Sequence, residues 1–304
     1  MMRILVSGAT GLIGTEICRR ARDRDWSVYT LSRRRAPDDP HRIVWNPEEG
    51  TIEADALPAL DAVVHLAGES VAGRWTAAKK ARIRRSRVEG TRLLVDALGR
   101  SAHKPRVFFS ASAVGYYGRR GDELVDENEP PGDSFLAQTC AAWEQEARRA
   151  SDQAERVVIG RVGIVLASHG GALAQMLPVF RRGLGGHLGT GLQYMSWITL
   201  NDVVEAILFL LETPDASGTF NLTAPNPVTN REFTRELAAA LRRPAWLPAP
   251  SLALRLVLGE MAEELLLNGV RAVPTRLQER GFTFLHERLP EGLQWALSTK
   301  PPSH

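Results

Sequence analysis

The first fourteen residues constrain the fold more than any other stretch of this chain. An apolar run, Arg3–Ser7, is followed by three glycines at three-residue intervals, Gly8, Gly11 and Gly14. The run predicts a buried strand, and the helical spacing of apolar residues after it predicts a helix over residues 11–24. Glycines let the backbone turn tightly and approach a pyrophosphate, and the free N–H groups of a helix N-terminus attract phosphates. The stretch therefore predicts the first half of a dinucleotide-binding unit, although its spacing is G-x-x-G-x-x-G rather than G-x-G-x-x-G.

Strand-like and helix-like segments alternate through the rest of the chain. The predicted strands lie near residues 3–8, 27–32, 42–46, 61–67, 105–112, 156–166 and 218–223. The predicted helices lie near residues 11–24, 76–99, 134–151, 171–183, 200–213, 230–243, 251–267 and 289–297. This order is typical of βαβ units, so the predicted fold class is α/β: a Rossmann doubly wound parallel sheet with a smaller, mostly helical C-terminal lobe.

Composition argues against several classes of function. The 304 residues are 44% hydrophobic and 24% charged, as in a soluble globular protein. No apolar run approaches the ~20 residues of a membrane helix, and the N-terminal run is too short for a signal peptide, so we expect a cytoplasmic protein without membrane contact. Cys18 and Cys140 have neither a disulfide pattern nor metal-ligand spacing, so no metal is expected. The net charge is only +3 and most basic residues are arginines, so no nucleic-acid partner is expected.

The end of the second predicted strand distinguishes between the two nicotinamide dinucleotides. NAD-specific sites usually place Asp or Glu there, about 20 residues after the glycines, on the ribose 2′-hydroxyl. Ser32 and Arg33 stand at this position instead. A hydroxyl and a guanidinium suit a 2′-phosphate, which a carboxylate would repel, so the predicted cofactor is NADP(H). Arg34 and Arg35 fit a solvated basic turn better.

The fourth predicted strand ends in small residues, so its backbone can lie beside an adenine and its ribose. Leu66, Ala67 and Gly68 are predicted to contact the cofactor there. His65 alternates with buried positions, and we interpret it as a core residue and not as a base. Glu69 follows at the carboxyl edge of the sheet, where ligands of open α/β sheets bind, and it is a candidate substrate contact.

Two further stretches leave alternatives open. Residues 79–87 carry a dense run of lysine and arginine early in a long predicted helix, which predicts either a solvated face or a docking surface for an anionic substrate. The glycine-rich stretch 185–191 is predicted to be a mobile loop that closes over a substrate. Gln193 and Trp197 flank its end, and Trp197 is interpreted as core packing or as a contact in the cleft.

Five stretches in a fixed order carry a family pattern. They are G-A-T-G-L-I-G at 8–14, H-L-A-G at 65–68, F-S-A-S-A-V-G-Y-Y-G at 109–118, G-R-V-G-I-V-L at 160–166 and W-I-T-L-N-D at 197–202. In order and spacing they resemble the extended short-chain dehydrogenase/reductases, the NAD-dependent epimerase/dehydratase group. Four short stretches of the tail are similar to the C-terminal domain of an atypical branch called epimerase family protein. These stretches are residues 248–250, 258–260, 273–277 and 281–282.

The resemblance covers nearly the whole chain and implies two domains. An NADP-binding Rossmann domain is predicted over residues 1–228, with residues 167–200 contributing to the substrate cleft. A C-terminal substrate or cap lobe is predicted over residues 229–304, after a change to proline-rich sequence. The resemblance also adds cofactor-binding candidates beyond the glycines and the second strand. These are Thr10, Leu12, Ile13, Ser110, Arg161 and Gly163.

Gly163 lies in the segment that passes along the nicotinamide in the relatives. Arg161 lies within a strand beside Val157, Val158 and Ile159, so it is either a paired structural ion or a cofactor contact.

The resemblance further implies a Ser-Tyr-Lys set for acid–base chemistry, and here the chain departs from the family. Ser112 matches the serine, but residues 134–144, where the Tyr-x-x-x-Lys pair should lie, contain neither tyrosine nor lysine. Ala113 and Val114 replace the acidic pair of sugar dehydratases, which argues against dehydration. Epimerisation through a keto intermediate needs a strong base and is also weakened.

Simple reduction needs the fewest groups: a bound cofactor, an oriented acceptor and a proton donor. Tyr116 or Tyr117, just after Ser112, is the candidate donor, or both rings form the wall of the nicotinamide pocket. Cys140 is interpreted as a buried helix residue rather than a nucleophile, because no histidine lies near it in sequence. We therefore predict an NADP(H)-dependent oxidoreductase acting on a small carbonyl or enone, with Ser112, Tyr116 and Tyr117 as catalytic groups.

Two alternatives stay open at this point. The first is a non-catalytic NADP(H) sensor that reports redox state to a protein partner, which the missing tyrosine and lysine favour. The second is a nucleotide-sugar epimerase, which rests on family analogy alone. Relatives pair through their long helices, so a homodimer is a further expectation.

Overall fold

A computed structural model describes residues 1–36 and 38–299 of the chain. Its strands are β1 (Arg3–Ser7), β2 (Ser27–Ser32), β3 (Arg42–Asn46), β4 (Thr51–Ile52), β5 (Ala62–His65), β6 (Val107–Ala113), β7 (Leu124–Val125), β8 (Arg156–Val162), β9 (Ile164–Leu166), β10 (Tyr194–Met195), β11 (Trp197–Thr199), β12 (Gly218–Leu222), β13 (Val228–Thr229) and β14 (Arg271–Ala272). Its helices are α1 (Leu12–Arg22), α2 (Ala77–Leu98), α3 (Phe135–Arg148), α4 (Gly171–Arg181), α5 (Leu200–Glu212), α6 (Asn230–Leu241), α7 (Ser251–Leu258), α8 (Glu260–Ala262), α9 (Thr275–Glu279) and α10 (Leu289–Ser298). Residues 300–304 of the predicted C-terminal lobe lie outside the described residues.

Eight strands form one sheet in the order β12-β8-β6-β5-β1-β2-β3-β4. All neighbouring pairs are parallel except β3 and β4, which pair antiparallel. The chain runs outward from β1 to β2 and β3 on one side, and then from β5 to β6 and β8 on the other. The predicted Rossmann class is therefore confirmed, and the switch point between β1 and β5 marks the crevice where such sheets bind ligands.

The central strand β1 is buried on both faces, as expected in a doubly wound sheet. Ile4 and Val6 belong to one apolar cluster, which α1 and α5 cover. Leu5 belongs to a second cluster, to which α2 contributes Leu94. Because successive side chains of a strand point to opposite faces, this short apolar run holds helices on both sides of the sheet.

Two predicted elements are interrupted in the structure. The strand predicted over residues 156–166 is divided at Gly163, where a Cβ atom would lie 2.5 Å from the carbonyl oxygen of Ser196. The β9 strand consequently leaves the main sheet and pairs with β11. The helix predicted over residues 251–267 is interrupted at Gly259, whose φ of +62° is incompatible with an α-helix. The chain continues there as α8 and a π-helical turn, Glu263–Leu267.

The C-terminal segment packs onto the sheet. The α9 helix lies against β12, and Leu277 and Phe284 belong to the same apolar cluster as Ile4 and Val6. The β14 strand pairs in parallel with β7. Most of this segment is helical, as predicted, whereas the boundary at residue 228 stays a prediction. Within residues 1–36 and 38–299, no helix is both long and apolar enough to cross a membrane.

Candidate functional site

The glycine turn between β1 and α1 is the most tightly constrained backbone at the switch point. Gly8 has a φ of +70°, and a Cβ atom there would lie 3.0 Å from the backbone of Leu66 and Ala67. A Cβ atom at Gly14 would lie 2.2 Å from the carbonyl oxygen of Gly8. The N–H groups of the first helical turn have no acceptor within the helix. Because Gly11 precedes the helix and has no side chain, they have no capping acceptor either. The turn therefore presents a close backbone approach and unpaired N–H donors in one place.

A cleft of about 1000 Å³ opens over the carboxyl ends of β1, β2 and β5. Eight of the predicted cofactor-binding residues line it together. They are Gly8, Thr10, Gly11, Ser32, Arg33, Leu66, Ala67 and Gly68. The switch point thus collects residues from three strand ends into one concave surface, as predicted from their positions after the strands.

Arginine side chains line both sides of this cleft. Arg33 and Arg34 follow β2, whereas Arg82 and Arg85 belong to α2. The Nη1 atom of Arg33 lies 3.7 Å from Glu48 Oε1, and 72% of the Arg33 side chain is exposed. Such a loose, exposed ion pair contributes little to stability, so an anion can replace the carboxylate. For Arg82 and Arg85, this placement favours the docking alternative over a purely solvated face.

A chain of hydrogen bonds supports the floor of the cleft. Ser7 Oγ accepts the backbone N–H groups of Leu66 and Ala67, at 3.1 and 3.2 Å, and donates to His65 Nδ1 at 2.7 Å. His65 Nε2 then donates to Thr91 Oγ1 at 2.9 Å, an assignment that follows from the network. Burial lowers the pKa of His65 from 6.5 to about 3, so the ring is neutral. The interpretation of His65 as a core residue is confirmed.

Other predicted cofactor contacts lie behind the cleft wall. Leu12 and Ile13 open α1 and contribute first-turn N–H groups rather than lining side chains. Ser110 is fully buried and donates to the carbonyl oxygen of Ala111 at 3.1 Å. Its side chain is enclosed in the sheet, and a contact of Ser110 with a cofactor stays a prediction. Gly163 is packed against Ser196 where β8 ends, and its contact with a cofactor stays a prediction.

A buried ionic cluster lies at the end of β6. The side chain of Glu144, on α3, is completely buried and accepts the Ser112 hydroxyl at 2.8 Å. Arg161 donates to the same carboxylate through Nε at 2.8 Å and Nη2 at 3.0 Å. Although burial alone would lower it, the hydrogen bonds and charge of Glu144 raise the pKa of Arg161 above its ordinary value. Arg161 is therefore paired with Glu144, as one of the two alternatives expected, and its contact with a cofactor stays a prediction.

The two tyrosines after Ser112 have different environments. Tyr117 is fully buried, donates to Asn221 Oδ1 at 2.7 Å and accepts from Arg161 Nη1 at 2.9 Å. Burial raises the pKa of Tyr117 to about 12, despite the opposing charge of Arg161. Tyr117 is thus hydrogen-bonded within the cluster, and its role as a proton donor stays a prediction. Tyr116 is half-buried, its ring centroid lies 3.4 Å from the Arg161 guanidinium carbon, and its hydroxyl bonds no other described residue.

Glu69 and Cys140 lie in different environments, one in an ion pair and the other buried. Glu69 accepts from Lys79 Nζ at 2.7 Å, and this hydrogen bond lowers the pKa of Glu69. Glu69 therefore lines the cleft as part of an ion pair, and its contact with a substrate stays a prediction. Cys140 is 4% exposed, and burial raises its pKa to about 11, so the thiol is protonated at neutral pH. Its interpretation as a buried helix residue is confirmed.

The glycine-rich stretch 185–191 is held by main-chain hydrogen bonds. The N–H of Leu247 donates to Gly185 at 3.2 Å, and the N–H of Ala249 donates to His187 at 2.9 Å. The stretch therefore pairs with the chain that leads into α7, and its closure over a substrate stays a prediction. Trp197 is fully buried and donates to the carbonyl oxygen of Asn226 at 3.0 Å, which confirms core packing.

The doubly wound sheet, the glycine turn at its switch point and a serine at the end of β6 define a Rossmann protein of the extended short-chain dehydrogenase/reductase class. Residues 4–223 match the NAD dependent epimerase/dehydratase family, and the chain belongs to that family. Residues 249–296 match a second model, the Domain of unknown function (DUF1731). Among the described residues, no three or more His, Cys, Asp or Glu side chains are placed to hold a metal ion.

Three relatives illustrate this membership. An epimerase family protein of Mycobacterium bovis is 44% identical over 299 residues, covering 98% of each chain. The crystal structure of human epimerase family protein SDR39U1 with NADPH has a TM-score of 0.90 and 34% identity, covering 98% of this chain and 100% of the human one. A nucleoside-diphosphate sugar epimerase from Corynebacterium glutamicum has a TM-score of 0.78 and 31% identity, covering 97% of this chain and 58% of its own. The resemblance inferred from sequence is therefore confirmed.

Proposed function

We propose that this protein binds NADP(H) in the cleft at the switch point and is an oxidoreductase acting on a small carbonyl or enone. The observation that carries the proposal is the joint position of the glycine turn and of Ser32 and Arg33 in one cleft. The human relative SDR39U1, which was crystallised with NADPH, supports the same cofactor.

The residues present fit that cofactor. Side chains at Gly8 and Gly14 would collide with the backbone of Leu66, Ala67 and Gly8, so only glycines allow this tight turn, and the first turn of α1 offers N–H donors to a pyrophosphate. The cleft volume of about 1000 Å³ lies at the upper end of the ~300–1,000 Å³ of small-molecule sites. Arg33 supplies a cation for the 2′-phosphate, and Ser32 supplies a hydroxyl where an NAD-specific site has a carboxylate.

Reduction is the reaction that the remaining groups support best. The cofactor, when bound, supplies a hydride. The protein must then hold the acceptor and provide one proton. Ser112 already donates to Glu144, and Tyr117 already donates to Asn221, so neither holds a free proton at the end of β6. Tyr116 is the donor we propose, with its ring oriented by the guanidinium of Arg161.

The non-catalytic sensor is the second candidate, and the same buried cluster favours it. Ser112 and Tyr117 make structural hydrogen bonds, so their presence can be explained without any catalytic role. Sugar epimerisation is disfavoured, although the Corynebacterium glutamicum relative is named as an epimerase. Residues 134–144 contain neither the tyrosine nor the lysine that would act on a sugar hydroxyl.

Calorimetry followed by a turnover screen tests the proposal. We expect NADPH to bind more tightly than NADH, because only the former carries the 2′-phosphate that Arg33 can pair with. The absence of binding heat with both nucleotides would refute the cofactor. A panel of aldehydes, ketones and enones is then screened for NADPH oxidation. Tight NADPH binding without oxidation by any compound would overturn the enzyme in favour of the sensor.

A further inference from the structure

Arg87 lies beside the cleft, across the switch point from the end of β2. It belongs to α2, and its Nη1 donates to the carbonyl oxygens of Glu69 at 3.0 Å and Ile83 at 3.2 Å. A Cβ atom on Gly68 would lie 3.1 Å from the guanidinium carbon. Since Gly68 and Glu69 line the cleft, the guanidinium lies at the edge where β5 ends.

The charge of Arg87 is not compensated by the protein. Among the described residues no carboxylate oxygen lies within 4.0 Å of its guanidinium, and the neighbouring Glu69 pairs with Lys79 instead. The guanidinium lies over the ring of Trp143, 5.2 Å from its centroid. Burial lowers the pKa of Arg87, whose residue is only partly exposed. Arg161, by contrast, is paired with Glu144, whereas the partly buried cation of Arg87 has no carboxylate partner and can pair with an anionic group of a ligand.

The position of the cation matches one half of a dinucleotide. A dinucleotide that lies across a switch point places its two nucleosides over opposite sides of the sheet. The residues suited to adenosine 2′-phosphate follow β2, so the other nucleoside lies over the ends of β5 and β6. The first turns of α3 carry only neutral side chains, Leu136 and Cys140 among them, and the first carboxylate of that helix, Glu144, is already paired with Arg161. Arg87 is thus a cation at that end which no other described side chain neutralises.

We propose that Arg87 is a cofactor-positioning residue that donates hydrogen bonds to oxygen atoms of the nicotinamide-side ribose and its phosphate. This inference rests on the proposed NADP(H) binding. Two hydrogen bonds from Nη1 to backbone carbonyls fix the plane of the guanidinium. Its Nε and Nη2 groups have no hydrogen-bond partner among the described residues, and they are the donors left for a ligand.

Comparing two ligands on three variants tests the inference. NADPH carries the nicotinamide half, whereas 2′,5′-ADP carries only the adenosine half with its 2′-phosphate. Calorimetry of Arg87→Gln is expected to show NADPH affinity weakened about tenfold and 2′,5′-ADP affinity changed by less than about twofold. Arg87→Lys retains the charge but not the fork of donors, so an intermediate, NADPH-selective loss of about threefold is expected. Arg84→Gln, on the exposed face of the same helix, is the matched control and is expected to match the wild type for both ligands.

The outcomes separate this inference from the proposed function. Equal losses for the two ligands, or no loss for either, would overturn the role of Arg87 while leaving NADP(H) binding in place. A wild-type protein that binds neither ligand would overturn both proposals. Thermal unfolding is recorded for each variant. If Arg87→Gln does not unfold cooperatively, the affinities of Arg87→Lys are used to test the inference. Equal losses of affinity for NADPH and 2′,5′-ADP in that variant, or no loss for either, would contradict it.

Discussion

Ser112 donates its hydroxyl hydrogen to the buried carboxylate of Glu144, with 2.8 Å between Oγ and Oε1. The same carboxylate accepts two hydrogen bonds from Arg161, so the serine that the family pattern assigns to the substrate is also part of a structural network. Its hydroxyl can accept a hydrogen bond from a ligand, but it can donate one only after leaving Glu144. Proton donation at the end of β6 is therefore expected from Tyr116.

The Tyr116→Phe variant tests that expectation. Removing the phenolic proton is expected to lower the rate of NADPH oxidation by a factor of ~10²–10⁴, the usual contribution of a general acid. Stacking with Arg161 survives because the ring is retained, so NADPH affinity measured by calorimetry is expected to stay the same. Tyr29→Phe, whose ring pairs with His41 away from β6, is the control. Unchanged turnover in Tyr116→Phe would identify another proton donor.

The Arg33→Asp variant tests the 2′-phosphate role. Because a charge-assisted hydrogen bond contributes ~1.5–3 kcal/mol, NADPH affinity is expected to fall at least about tenfold. NADH lacks the phosphate, so its affinity should change far less. Arg35→Asp provides the control, since Arg35 pairs with Glu53 and does not line the cleft. Equal losses for both nucleotides in Arg33→Asp would refute a specific contact.

The Gly14→Ala variant tests the packing of the glycine turn. The added methyl group would lie 2.2 Å from the Gly8 carbonyl oxygen, so the turn or α1 must shift. We expect the free energy of unfolding to fall by about 2 kcal/mol, measured by urea denaturation. The matched variant is Gly11→Ala, where the corresponding distance is 3.2 Å and a smaller loss is expected. Similar stabilities for the two variants would contradict this account.

The Glu144→Gln variant tests the buried ion cluster. Neutralising Glu144 leaves Arg161 buried without a counter-ion, which typically costs about 3–5 kcal/mol. The control is Glu146→Gln on the same helix, whose partners Arg92 and Arg149 are about half exposed, so a loss below about 1 kcal/mol is expected. Chemical denaturation of both variants provides the comparison. Comparable losses would show that the buried pair is not specifically stabilising.

His65 makes a defined contribution to the pH dependence of stability. Its pKa is about 3 in the folded protein and 6.5 in its ordinary state, so below pH 6.5 the unfolded chain binds a proton that the folded chain does not. Its contribution is therefore fully present above pH 6.5 and is lost by about 1.4 kcal/mol per pH unit as the pH falls towards 3. His65→Gln should abolish this part of the slope. If the wild type and His65→Gln lose stability with the same slope between pH 4 and pH 6.5, the buried neutral ring is contradicted.

The nucleotide-binding half of the cleft could be predicted because its determinants are contiguous in sequence. One strand, one turn and one helix place Gly8, Gly11 and Gly14 together, and the next strand brings Arg33 to the same edge. Local periodicity and glycine spacing are sufficient there, since parallel strands end at a common edge. The interruption of the predicted strand at Gly163 lay beyond such reasoning, because it depends on close packing against Ser196, from a distant part of the chain.

Tertiary structure alone decided the environment at the end of β6. Sequence matched Ser112 to the family serine and left Arg161 open between two roles, but only the fold brings both to Glu144. Likewise, the basic run in α2 predicts a charged face, but it does not identify Arg87 as the residue that turns towards Gly68. The physical reason is that the function of a charged side chain depends on its partners. In this protein those partners come from other strands and helices that only the folded sheet brings within hydrogen-bond distance.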